Sequence, residues 1–116
     1  MSIKDIRSAT LGAQNKFKTE DVEHNGIKVK VQQLSYINRK ELLDKCNSGD
    51  QLDTLKMQVY AVIYTVVDPE TGERVFSDDD YETMIKQPSG GYVDTFSKVA
   101  LKVLGWSDDE AEAEKN

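Results

Sequence analysis

One cysteine, one histidine and two prolines stand among the 116 residues of this chain, and each scarcity removes a class of chemistry. A lone Cys46 excludes an internal disulfide and a cysteine-based zinc cluster, and it fits a reducing compartment. In LLDKCNSG it reads as core or half-buried filler rather than as a catalytic thiol. The single histidine, His24, lies beside an Asn-Gly pair, where an exposed polar residue is expected. Without a second histidine or a cysteine partner, no familiar triad or dyad can be assembled from it. No run approaches the roughly 18 consecutive apolar residues of a membrane span, and MSIKDIRSATLGAQNK lacks the apolar block of a signal peptide. A soluble protein that stays where it is made is expected, with no membrane partner.

Positive charge is also scarce, and unevenly so. The formal net charge is −6. Residues 1–58 carry ten Lys/Arg against eight Asp/Glu, whereas residues 59–116 carry five against thirteen, so the halves stand at about +2 and −8. A field of this sign opposes a polyphosphate and favours basic or neutral protein partners, which makes nucleic acid an unlikely ligand. Apolar residues are 38% and charged residues 31%. That is polar for a globular chain, yet Val, Ile, Leu and aromatics are too frequent for general disorder.

What is present organises into alternating signals. Ile3, Ile6, Ala9 and Thr10 recur at helical spacing behind Ser2, a candidate cap, and predict a short helix or frayed arm over 2–11. Asn25-Gly26 separates two segments, the second of which sets Ile27, Val29 and Val31 against Lys28, Lys30 and Gln32. Period two around Asn-Gly is the strongest short-range hairpin signal. Phe17 and Val22 fall on opposite faces, so the first strand is expected to be bulged or short. Ser35 or Asn38 then caps a helix with Leu42, Leu43 and Cys46, which Asn47-Ser48-Gly49 ends.

The stretch from Gln51 to Val67 supports two readings. Leu52, Leu55, Val59, Val62 or Ile63, and Val66 recur at three and four as in a buried helix, while 59–67 is rich in β-branched and aromatic residues as in a strand. About sixteen residues without Gly or Pro is long for a strand, and helix is favoured. Asp68-Pro69-Glu70-Thr71-Gly72 is a turn by composition. RVF reads as a short extended piece, followed by a helix with Tyr81, Met84 and Ile85 capped by Ser77 or Asp78, where Asp79, Asp80 and Glu82 meet the positive end of the helix dipole. Pro88-Ser89-Gly90-Gly91 breaks it. A last helix over Tyr92 to Leu104 places Phe96, Val99, Ala100 and Val103 on one stripe, with Gly105 as its stop. The fold class is therefore α+β: one N-terminal β-hairpin packed with about four to five helices, a single domain over 1–106, and a disordered acidic C-terminal tail over 107–116.

Motifs that could carry chemistry fail on inspection. SDDDYE lacks the EF-hand glycine and glutamate, since the sixth and twelfth positions counted from Asp78 are Thr83 and Ser89. PSGGY has glycines before a helix but no GK[ST] and no preceding strand. Carboxylates cluster at solvent-facing ends rather than where their pKa values would be split. No enzyme, cofactor or metal is expected. Trp106, the sole tryptophan, either folds back onto the last helix or anchors a partner. With the acids that follow it, Asp108, Asp109, Glu110, Glu112 and Glu114, it forms the candidate partner-binding set.

Taken in order, VKVQQLSYINRKELLDKC, VVDPETGERVFSDDDYETMI, the closing VLGW and the ending AEKN make the chain, over roughly residues 17–116, resemble the tail assembly chaperones of long-tailed bacteriophages, the class of the lambda G protein and its counterpart in HK97-like phages. The resemblance implies a non-enzymatic assembly factor in the cytoplasm of the infected bacterium, absent from the mature virion. It implies binding to the tape measure protein, which is kept soluble, and recruitment of tail tube protein by a longer product of a ribosomal frameshift. Rings or other weak homo-oligomers are compatible with it. A different class of function, an acidic DNA mimic or inhibitor that binds a basic host protein, is raised by the −8 half; it requires the acids of 68–94 to line one continuous surface. The tail itself, DDEAEAEKN, is expected to be mobile, because ordering costs about 1–2 kcal/mol per residue and two alanines offer little to bury.

Overall fold

Asn25 and Gly26 both take positive φ, 51° and 82°, the left-handed pair that a two-residue type I′ hairpin turn requires. In the computed structural model, which describes residues 1–12, 16–49 and 51–106, this turn joins β1 (Thr19–His24) to β2 (Ile27–Gln32). The ladder is antiparallel and regular from Thr19 opposite Gln32 to His24 opposite Ile27. Of the two expected irregularities the shorter strand is the one found: β1 begins after Phe17, and its pairing contains no bulge. Val22, Val29 and Val31 are buried on the inner face. On the outer face Asp21 lies opposite Lys30 and Glu23 opposite Lys28, an arrangement of opposite charges that favours this register.

His24 corrects the expectation of an exposed residue. It belongs to the inner face, is half-buried, and meets the Phe96 ring edge-on at 6.4 Å. Its Nδ1 lies 3.1 Å from Thr95 Oγ1. The alternation that buries Val22 also turns position 24 inward.

Ser35 caps α2 (Tyr36–Cys46) by accepting the Asn38 N–H at 3.2 Å. Leu42 and Cys46, one turn apart, are its buried residues. The helix does end at Asn47, but the chain then forms a minute hairpin, β3 (Asn47–Ser48) with β4 (Gln51–Leu52). Leu52 is therefore in a strand and not on the helical stripe predicted for it. Asp53 starts α3 (Thr54–Thr65), its Oδ1 accepting the Lys56 N–H at 3.0 Å.

Both readings of the ambiguous stretch are realised, one after the other. α3 runs to Thr65, and Val66–Val67 is β5, paired antiparallel with Val31 and Lys30 of β2. The sheet order is β1-β2-β5. Val66 thus leaves the helix, and the β-branched pair takes the extended conformation it prefers. From Ala61 to Thr65 every residue of α3 is buried; this half of the helix is enclosed by its neighbours and has no polar face to mark its period.

Asp68 Oδ1 accepts the N–H groups of Glu70 (2.7 Å) and Thr71 (3.1 Å), which fixes the expected turn. Arg74 then bridges Val67, and the Val75 N–H donates to the Val66 carbonyl at 3.2 Å, so RVF is extended as expected. Ser77 and Asp80 form a capping box. A 3-10 turn (Asp78–Asp80) takes up the first three residues, and α4 (Tyr81–Met84) is only one turn long. Ile85 falls beyond it, because the next N–H groups, of Lys86 and Gln87, bond three residues back, to Thr83 and Met84.

α5 (Tyr92–Leu104) buries Phe96, Ser97, Ala100 and Leu104. Gly105, at φ 78°, closes it in a Schellman arrangement: the Trp106 N–H donates to the Leu101 carbonyl at 2.8 Å and the Gly105 N–H to that of Lys102 at 3.1 Å. The N-terminal helix α1 (Ile3–Leu11), capped by Ser2, has no buried residue. Its Ile3, Ile6 and Leu11 are exposed. Five helices and the hairpin-containing sheet, among the described residues, make the α+β architecture expected from the sequence. The predicted acidic tail lies outside the described residues.

Candidate partner-binding site

A groove of about 370 Å³ opens where the start of the hairpin, the first turn of α2 and the end of α5 converge. Phe17 is left on its rim because β1 begins two residues later. Leu34 contributes from the connection to α2, and Val103 and Leu104 from the last turn of α5. Tyr36, 90% exposed, stands at the entrance, with Lys16 and Arg39 beside it. A smaller cavity of about 190 Å³ shares Phe17, Gln33, Leu34 and Ser35 with the groove and adds Arg74 and Tyr64. Among the described residues no Asp or Glu lines either space.

Trp106 stands next to this groove. Its backbone is fixed by the Schellman bonds, its ring is partly buried against the core, and the Arg39 guanidinium lies 5.4 Å from the ring centroid. Such an arrangement favours a cation over the indole face. The structure sets Trp106 partly buried against the core, beside an open surface. The other members of the predicted set, Asp108, Asp109, Glu110, Glu112 and Glu114, lie outside the described residues.

The groove residues themselves were not singled out by sequence reasoning. One signal was available: the segment LSYINRK starts a helix whose buried positions are Leu42 and Cys46, and places Tyr36 about a quarter of a turn and Ile37 nearly half a turn away from them. Tyr36 and Ile37 are both exposed. Lys16 gave no signal, and Phe17 reads as part of the first strand, which begins only at Thr19.

The two candidate nucleophile or base residues serve packing. His24 ties the hairpin to α5. Cys46 is fully buried, and burial pushes its thiol pKa up to about 11. Its reaction with an aromatic disulfide reagent at pH 8 is expected to be slowed at least ~100-fold relative to the urea-unfolded chain, as befits a thiol reached only by opening; equal rates would place it at the surface. Among the described residues no three His, Cys, Asp or Glu gather as a metal site needs, and no helix is long and apolar enough to cross a membrane.

No protein-family model and no curated protein sequence matches the chain. Among solved structures, that of the bacteriophage HK97 tail assembly chaperone is similar over 84% of this chain and 97% of that one, with a TM-score of 0.52 and 20% sequence identity. The chain has the tail assembly chaperone fold. The resemblance drawn from the order of sequence segments is thereby supported at the level of fold. In this chain the tail assembly chaperone fold leaves three features open on one side of its core: the groove, the cations beside it, and the half-buried Trp106.

Proposed function

We propose that this protein is a non-enzymatic tail assembly chaperone of a long-tailed bacteriophage, acting in the host bacterial cytoplasm and absent from the mature virion. The fold likeness to the HK97 protein, which spans nearly the whole of that chain, is the observation that carries the reading. Its client is the tape measure protein, which it keeps soluble, and a longer frameshift product recruits tail tube protein; self-association accompanies these contacts. The charge balance of this chain supports the role, since a surface of net negative charge keeps a complex with an aggregation-prone helical client dispersed.

Co-expression with the tape measure protein encoded near it is expected to raise the soluble yield of that protein several-fold and to co-purify it. Unchanged yield with no co-purification would overturn the reading. The DNA-mimic alternative draws no support from the acids of 68–94. Asp68 holds a turn and Asp80 a capping box. Asp78 pairs with Lys45 at 3.3 Å, and Asp94 accepts from Gln58 and from the Gly90 N–H. Half of the eight acids between Asp68 and Asp94 thus have local structural partners, which ties them to turns, caps and an ion pair.

A further inference from the structure

We infer that the groove between Phe17, Leu34 and Leu104 is the docking site for an amphipathic helical segment of a partner protein whose apolar stripe is flanked by acidic residues. For the natural owner of that segment the inference rests on the chaperone reading; the chemistry of the site does not. Its apolar walls are supplied by three different parts of the chain, and its volume of about 370 Å³ falls within the roughly 300–1,000 Å³ of pockets that take small ligands or a few side chains. Apolar anchors at helical spacing fit such a surface.

Charge selects among the occupants. In a chain of net charge −6, this is a place where, among the described residues that line it, cations gather without acids: Lys16, Arg39 and, through the adjoining cavity, Arg74. The positive end of α2 and the negative end of α5 both face it, so the helix dipoles offset and the side-chain charges decide. The exposed apolar face of α1 is a poor occupant, in this copy or another, because it carries Lys4 and Arg7 against a single Asp5. The chain's own acids from Asp108 to Glu114 have the right sign, but only Ala111 and Ala113 to fill apolar walls. An occupant with both large apolar side chains and acids is what remains. Arg39 over Trp106 gives it a further contact, since a carboxylate meeting the guanidinium leaves the cation in place on the indole.

Calorimetry with two synthetic 18-residue helices of identical Leu stripe, one flanked by Glu and one by Lys, tests this on the full chain. The Glu-flanked peptide is expected to bind roughly tenfold tighter at low salt, the size that two or three partly exposed ion pairs give when each contributes a few-fold, and the gap should close as salt rises. The double variant K16E/R39E, at two exposed positions, should invert the preference. The matched variant K86E/K98E, which changes net charge equally away from the groove, should keep it. Equal binding of both peptides, or equal loss in both variants, would overturn the proposal. So would a gain of tenfold or more on neutralising Asp108, Asp109, Glu110, Glu112 and Glu114 to amides, which would make the chain's own acids the resident, or displacement by the peptide of a second copy seen by sedimentation. Failure of the co-expression experiment with intact peptide selectivity would remove the chaperone reading and leave the site. The reverse result would leave the chaperone and remove the site.

Discussion

Phe96→Ala is expected to destabilise the protein by about 3–5 kcal/mol, the cost of deleting a fully buried aromatic ring. The ring is 2% exposed and sits where α5 meets the hairpin, with His24 on one side and Tyr92 at 5.9 Å on another. Those edge-on contacts go with the ring, so the surrounding side chains lose partners that they cannot replace by collapse. A domain of about 100 residues commonly has roughly 5–15 kcal/mol in hand, so the variant should lose a large share of its urea midpoint. A change below about 1 kcal/mol would mean that α5 does not close on the hairpin as described.

Val31→Asp should be at least as damaging at neutral pH. Val31 is fully buried on the central strand, paired with Glu20 on one side and Val66 on the other. A carboxylate there either remains charged in an apolar site or takes up a proton, and either course costs several kcal/mol. The folded-state pKa of that new carboxylate would be raised, so its destabilising effect grows as pH rises through the ordinary carboxylate range and lessens below about pH 4. On the opposite face Lys28→Asp, three residues away, should cost less than about 1 kcal/mol, most of it from facing Glu23 across the ladder. Circular dichroism at pH 4 and pH 7 separates the two variants; similar losses in both would mean that the inner and outer faces of β2 have been exchanged.

The hairpin, the turn at Asp68, the capping of α2 and the extent of α5 were legible because each is written in local chemistry: Asn-Gly, a Pro and a Gly close together, a Ser before an apolar run, a glycine after one. The α3–β5 boundary was not legible. A helix buried on all sides and a buried strand are both simply apolar, and the point at which one becomes the other was fixed by the distant partners Val31 and Lys30. The inward side chain of His24 follows from the alternation of its strand, against the general tendency of polar residues beside turns to face solvent. The groove was the least visible, because its walls come from residues 16–39 and 103–104, and only folding brings them together.

The direct passage from α3 into β5 also sets an order of events on the ribosome. The hairpin is complete once Gln32 has emerged, but β5, which pairs with Lys30 and Val31 on its second edge, is not made until Val67. At roughly 5–20 residues per second that edge waits on the order of 2–7 seconds, long compared with hairpin formation in ~1–10 μs. During that interval β2 presents an unpaired row of backbone groups, and Lys28 and Lys30 on its outer face are the residues that discourage another strand from adding there. The lysines of this strand thus guard the protein as a nascent chain, before it has any partner to serve.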